Sequence, residues 1–400
     1  MALGSAINHY TMNLFGPAML NELGWSKAQF ALLGSIPLLT MALVPFAGRF
    51  TDRHGTRIAA ITGFAVLPLG FVAMSMMRGP IYEFFAIYLI QHVFGVLTTS
   101  MVFCRVIVER FDTARGIALS VVMSAPPLVG AIAAPLIGAV IAGEGWRAGY
   151  LALAGLSAAG GLVAVGMMGR GEKRADTPRE APHLGRAELL ELLRHPTLIL
   201  IVAGMFLVNV PQVFASSQMK LVVMDSGVSD SLATWMVSLY AIGVIIGRFA
   251  SGLALDRIEP HYVAMAALGL PAIGYLVFAS QLSATPVLIG AVMVIGLAQG
   301  AESDIGAFLI SRRFAIRNFS LLLSILTMMI GLGGAAGSLV MSATLHQGSG
   351  YGPFLVVSAA ATLAGAVLFA LTGVFRGTEP RPEENVDQDI IKQAMTGEIG

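Results

Sequence analysis

The chain has 400 residues, of which 56% are hydrophobic and only 12% charged. A soluble domain carries about a quarter charged residues, so a water-soluble globule is excluded. The net charge of +1 is spread over short connections and forms no basic patch, so no nucleic-acid partner is expected. Cys104 is the single cysteine, which rules out an intramolecular disulfide, a paired-cysteine metal site and a thiol redox motif. No metal or cofactor is called for. The partner that remains is the lipid bilayer.

A membrane-crossing helix needs about 20 apolar residues. On that ruler twelve spans follow in order: 2–22, 27–48, 57–77, 82–104, 116–142, 147–168, 197–220, 231–254, 261–280, 285–310, 319–343 and 351–374. The first is unusually polar, with Asn8, His9, Tyr10, Thr11 and Asn13, and Met1 already lies within it. The opening lacks a basic stretch and a small-residue cleavage site, so the first span is expected to stay in the membrane. Residues 169–196 form the one long polar connection, with Gly171-Glu172-Lys173-Arg174, Pro178 and Pro182. They read as a linker between an N-terminal bundle, 1–168, and a C-terminal bundle, 197–376. The tail 377–400 is too polar to pack and reads as disordered.

Alternate connections differ sharply in Lys and Arg. One set holds twenty, among them Arg49, Arg53, Arg57, Arg105, Arg110 and six in the linker region; the other holds only Lys27, Arg78, Arg147 and Lys220. The bias places the first set, and with an even number of spans both termini, on the cytoplasmic side of a cell membrane.

Between the second and third spans lies Gly48-Arg49-Phe50-Thr51-Asp52-Arg53-His54-Gly55-Thr56-Arg57. A degenerate copy, Gly252-Leu253-Ala254-Leu255-Asp256-Arg257, recurs about two hundred residues later, and Arg110-Phe111 finds its counterpart in Arg313-Phe314. The pattern Gly-x-x-x-Asp-Arg-x-Gly-x-Arg resembles the loop after the second helix of major facilitator superfamily transporters. Supporting stretches are Gly24-Trp25-Ser26-Lys27-Ala28-Gln29, Arg115-Gly116-Ile117-Ala118-Leu119 and Gly145-Trp146-Arg147. The resemblance implies an all-α integral membrane fold, twelve transmembrane helices in two pseudo-symmetric six-helix bundles, as parallel repeats of this kind produce. It also implies a conformational-gating role for Gly48, Asp52, Arg53, Gly55 and Arg57 and for Gly252, Asp256 and Arg257.

Arg248 stands eight residues before Asp256, about 12 Å inside the membrane from that loop. An arginine at such depth needs a cavity or a counter-charge, which makes it the leading functional candidate. The run Gly247-Arg248-Phe249-Ala250-Ser251-Gly252 resembles the monocarboxylate and oxalate-formate branch, whose helix-eight arginine binds a substrate carboxylate. A guanidinium matches the two oxygens of a carboxylate with parallel N–H donors. Two departures from proton-coupled monocarboxylate carriers stand out: Asn13 where the first helix would carry a lysine, and Val244 where an aspartate would precede the arginine by one turn. The eleventh span carries no lysine either, against oxalate-type dianion exchange.

Tyr10, Asn13 and Arg105 are further candidates for substrate contact. For proton coupling the chain offers Glu302, Asp304 and His9. Glu302 lies ten residues, about 15 Å, before Arg312. Glu302 and Asp304 point about 200° apart on one helix, so they cannot both line one cavity. Pro126-Pro127 and the run Gly331, Gly333, Gly334 and Gly337 read as a kink and a close-packing face.

These residues point to a secondary active transporter, not an enzyme, since His-Glu-x-x-His, Gly-x-Ser-x-Gly and a phosphate loop are all missing. The expected cargo is a small organic anion, monocarboxylate-like, moved by alternating access with proton coupling, by a protein functioning as a monomer. The alternatives are an exporter of lipophilic compounds, suggested by 21 methionines, and a non-transporting sensor or scaffold, which would need a soluble domain the sequence lacks.

Overall fold

In the computed structural model, residues 1–41, 44–99, 103, 115–168, 190, 192–314 and 318–374 are described. The side chains of 39–41, 44–45, 52, 115–120 and 320 are excepted. Cys104, Arg105, Arg110-Phe111, nearly all of the linker and the tail 377–400 lie outside the described residues.

Twelve helical segments follow in chain order. They are α1 (Ala6–Leu23), α2 (Lys27–Ala31, a tight turn Leu32–Ser35, Ile36–Met41 and Val44–His54), α3 (Thr56–Ser75), α4 (Ile81–Gly95), α5 (Arg115–Glu144) and α6 (Trp146–Met167). The second six are α7 (Pro196–Val208, continuing to Asp225), α8 (Asp230–Leu255), α9 (Pro260–Gly269 and Pro271–Ala279), α10 (Thr285–Arg313), α11 (Phe319–His346) and α12 (Gly352–Leu371). Nine of these are, among the described residues, long and apolar enough on their own to cross a membrane. The others miss the criterion for local reasons. In α1 the polar residues Asn8, Thr11 and Asn13 are buried inside the protein, while α2 and α7 are broken into shorter pieces.

The same pairings recur in each half. Helix α1 packs on α5 and α3 on α6, as α7 packs on α11 and α9 on α12. Between the halves, α1 meets α7, α5 meets α8 and α2 meets α11. The α2–α11 contact comes from Lys27–Met41, whereas Val44–His54 rests mainly on its own half. The halves are thus joined at the Lys27 end along this seam and diverge toward the Gly48–Arg57 loop.

Tight turns set these helices. Gly55 opens α3 and Gly145 opens α6, each at φ 87°, a left-handed backbone that side chains with a Cβ rarely adopt. Ser26 starts α2 with a reciprocal cap, its hydroxyl accepting from the Gln29 amide while the Gln29 side chain accepts from the Ser26 amide. Helix α5 runs unbroken through Pro126-Pro127.

Helices α8 and α10 share the most extensive helix–helix contact, and glycine makes it possible. Gly243 and Gly247 face Gly296 and Gly300, two small-x-x-x-small pairs that let backbones touch. A Cβ on Gly247 would overlap the Leu297 carbonyl, and one on Gly300 would overlap the Val244 carbonyl. The glycine run of α11 does similar work against α7: Gly333 abuts Phe206 and Gly337 abuts Val210. Gly300→Leu should therefore force α8 and α10 apart, costing roughly 1–3 kcal/mol, whereas Gly252→Leu, at an exposed position with open space, should cost little. Melting of the purified variants in detergent checks this: a drop of several degrees is expected for position 300 only.

Candidate substrate site

The charged centre of the molecule lies where α5, α8 and α10 meet. Arg248 on α8 is largely buried; its Nη1 donates to the Met123 carbonyl of α5 at 2.6 Å, and its Nε lies 3.0 Å from Asp304 Oδ2 of α10. The guanidinium thus spans the two halves. Asp304 remains 40% exposed, so the pair is reachable from the space between the helices. The α8–α10 glycine contact sets the spacing: Gly300, one turn before Asp304, lies against the α8 backbone at Val244 and Arg248.

Eight residues before Arg248 on α8, about two turns away, the Tyr240 hydroxyl lies 3.4 Å from His9 Nε2 of α1, again across the halves. Tyr10 packs edge-on to His9, at 5.0 Å between ring centroids, and against Gly130 of α5. His9, Tyr10 and Tyr240 form an aromatic group between α1 and α8.

Asn13 is engaged elsewhere. Its Nδ2 donates to the Ala215 carbonyl of α7 at 2.7 Å, and the residue is 1% exposed. Ala215 lies in a π-helical turn, Phe214–Gln218, where the widened backbone releases carbonyls from the regular ladder. Asn13 therefore ties α1 to α7.

Glu302 faces a different direction from Asp304. Its Oε1 accepts from Asn209 Nδ2 of α7 at 2.6 Å and its Oε2 from Gln299 Nε2 at 3.1 Å, deep inside the C-terminal half. The two acids of α10 are divided between two neighbouring helices, α7 and α8. Sequence reading had not singled out Asn209, Tyr240, Gln299 or the Met123 carbonyl. The Gly-x-x-x-Gly pairs at 243/247 and 296/300 are the signal that could have joined α8 to α10.

In the Gly48–Arg57 loop, Asp52 lies in the last turn of α2, and Arg53 is exposed. Gly55 stands at the N-cap of α3, with no side-chain capping hydrogen bond there among the described residues, which do not include the side chain of Asp52. In the second copy, α8 stops at Leu255 and leaves Asp256 and Arg257 exposed, with Gly252 on the outer surface. The two copies thus differ in how far the helix runs.

At the opposite end, Lys27 of α2 pairs with Asp225 of α7 at 3.0 Å and lies over the Tyr351 ring at 5.0 Å. The Tyr351 hydroxyl donates to Gln218 Oε1 at 3.1 Å. Within the N-terminal half, Arg147 pairs with Glu22, and Trp146 Nε1 donates to the same carboxylate at 2.7 Å. Among the described residues no His, Cys, Asp and Glu cluster fit to hold a metal is found.

Twelve helices in two repeating halves, with an ion pair held where the halves meet, define a membrane transporter of the two-bundle type. The sequence profile of the Major Facilitator Superfamily matches residues 1–221 and 213–394, and the chain belongs to that superfamily. Among curated relatives, Monocarboxylate transporter 13 of Bos taurus is 24% identical over 365 residues, covering 89% of this chain and 82% of the relative. The MFS transporter asaE of Aspergillus flavus is 22% identical over 389 residues, covering 94% and 83%. The MFS-type transporter pytF of Aspergillus terreus is 26% identical over 245 residues, covering 59% and 78%. Two solved structures share the fold: the nucleoside transporter NupG, with TM-score 0.77, 12% identity and coverage of 94% and 97%, and the peptide transporter POT with sulfate, with TM-score 0.72, 16% identity and coverage of 92% of each.

The Lys27–Asp225 pair is solvent-exposed, and such pairs contribute roughly 0–1 kcal/mol. Lys27→Glu should therefore shift the balance of conformers modestly, up to about fivefold, away from the form closed at this end, and Lys27→Glu with Asp225→Lys should restore it. Distances between spin labels placed on the two halves at this end are the measurement; a double variant no different from the single one would show that the pair does not hold the end closed.

Proposed function

We propose that this transporter moves a small organic anion bearing a carboxylate across the membrane by alternating access, with Arg248 as its anchor and Asp304 as the group that exchanges a proton. The observation that carries the reading is the Arg248–Asp304 ion pair between α8 and α10, capped by the Met123 carbonyl of α5. Arg248 has five N–H donors, and these two partners leave a second terminal nitrogen for a carboxylate. A substrate carboxylate competes with Asp304 for the same cation. Once displaced, Asp304 has lost its counter-charge, and taking up a proton relieves that loss, which links anion binding to proton binding.

This arrangement also answers a departure seen in the sequence. Val244 stands where an aspartate one turn before the arginine would be, and Asp304 supplies a carboxylate to the arginine from α10 instead. The similarity to a relative named a monocarboxylate transporter supports the same class of cargo. His9, Tyr10 and Tyr240 would line the remainder of the substrate's surroundings, while Asn13 serves the α1–α7 seam. The charge bias of the connections supports cytoplasmic termini in a cell membrane, and the Gly48–Arg57 loop then lies on the cytoplasmic side, where Asp52 would help govern the conformational balance. Joined at the Lys27 end along α2 and α11, the halves fit a form open toward the cytoplasm.

A second reading, export of a lipophilic compound, draws on an apolar groove of about 340 Å³ between α7 and α11, lined by Leu198, Ile199, Val202, Phe206, Ile325 and Met329 among others. Such a cargo would not need Arg248. Arg248→Lys separates the two, because it keeps the charge and removes the planar fork. For a carboxylate cargo, the lost charge-assisted hydrogen bond should cost roughly 1.5–3 kcal/mol, about ten- to a hundredfold in affinity. Binding of a panel of monocarboxylates to the purified, folded variant is the measurement, and wild-type affinity would remove the anion reading.

Asp304→Asn should leave exchange of anion across proteoliposome membranes while abolishing accumulation driven by a pH gradient, since exchange needs no net proton movement. Retention of gradient-driven accumulation in this variant would take the proton role away from Asp304.

A further inference from the structure

Glu302 has no part in the Arg248–Asp304 exchange, and its surroundings are unusual for a carboxylate. It is 6% exposed and its two oxygens are met only by the neutral amides of Asn209 and Gln299. Among the described residues no cation pairs with it. Arg248 is taken by Asp304, and Arg312 and Arg313 stand ten and eleven residues along α10, about 15 Å away. A buried full charge without a counter-charge is costly, so the group must either take up a proton or have a positive occupant beside it.

There is room for one. Beside the carboxylate lies a cavity of about 20 Å³ lined by Gln212 of α7, Tyr275 of α9, Gln299 and Glu302, with apolar residues completing the wall. That is space for a single water-sized particle. Asn209 and Gln299 each direct an amide nitrogen at the carboxylate, which leaves their oxygens for another partner, and Asn209 Oδ1 is buried with none. The other titratable groups facing Glu302 are the hydroxyls of Tyr275 on α9 and Tyr240 on α8. All the available ligands are oxygens, the set that hard cations prefer. A single carboxylate among neutral oxygens balances one positive charge. The small volume excludes organic cations and a magnesium ion with its retained waters.

We infer that this pocket in the C-terminal half binds a dehydrated monovalent cation of sodium size, held by Glu302 together with the amide oxygen of Gln299 and the side chain of Gln212. The cation would tie α7 to α10 on the side away from Arg248. The inference goes beyond the anion reading and does not require it.

The full-length protein in detergent, without any substrate, is the material for the test. Binding of radioactive sodium and melting in NaCl, KCl and choline chloride at equal ionic strength are the readouts. The expected result is saturable binding of one sodium ion per chain, with a rise in melting temperature specific to NaCl. Gln212→Ala should weaken the binding about tenfold, Glu302→Gln should abolish it, and Glu302→Asp should weaken without abolishing it. Equal behaviour in NaCl and choline chloride, or sodium binding that survives Glu302→Gln, overturns the inference and leaves the carboxylate as a proton site only. If Glu302→Gln does not fold, sodium binding to the wild type and to Gln212→Ala still decides. Arg248→Lys should bind sodium as the wild type does, so that failure of the cation site and failure of the anion site are read separately.

Discussion

A guanidinium inside a membrane must be paired, and the pairing of Arg248 is the constraint on which the centre of this transporter depends. One partner, Asp304, comes from α10, and the other, the Met123 carbonyl, from α5 in the opposite half. The Asp304 contact is made across the close approach of α8 to α10. Gly243, Gly247, Gly296 and Gly300 remove the side chains that would keep the two backbones apart, so the glycine faces and the ion pair form one unit. Loss of a glycine would loosen packing and, at the same stroke, move the carboxylate away from the arginine.

Much of the fold was legible in the sequence because the bilayer imposes a length and an apolar composition on every crossing. All twelve expected spans find a helical segment, even though three of those segments fall short by length or composition alone. What composition could not show is why they fall short. The polar residues of α1 stood out in the sequence, yet Asn8, Thr11 and Asn13 are buried away from lipid: Asn13 bonds to α7 and Thr11 to the Ile7 carbonyl of its own helix. The π-helical turn of α7 left no mark in the periodicity, and the partner of its Ala215 carbonyl, Asn13, lies on a helix some two hundred residues earlier.

The candidate site was partly legible for a similar reason. Depth could be counted along one helix, which singled out Arg248 and Glu302, and helical geometry separated Glu302 from Asp304. Partners on other helices could not be counted. Asp304 meeting Arg248, and Asn209 meeting Glu302, depend on how α7, α8 and α10 lie side by side. The glycines of α11 drew attention as a run, while the equally spaced glycines of α8 and α10 did not, and it is the latter that bring the charges together. The α11 glycines instead press that helix against α7, within one half of the molecule.

Two of the polar contacts at the seam between the halves are individually modest: the Lys27–Asp225 pair is exposed to solvent, and the Asn13–Ala215 bond is a single neutral hydrogen bond, worth about 1 kcal/mol. Apolar packing of α5 on α8 and of α2 on α11 joins the halves as well, in one hydrophobic cluster that runs through both. On the proposed reading, a ligand drives alternation only through unequal affinity for the two forms. Arg248 is well placed to supply that inequality, because its bond to Met123 crosses the seam whereas its bond to Asp304 stays within one half. When the halves part along α5 and α8 the first must break and the second can persist. On the proposed reading, a carboxylate that takes over the guanidinium would act on the crossing bond and on the counter-ion together, so that one residue would serve both as the anchor for the cargo and as the sensor of its arrival.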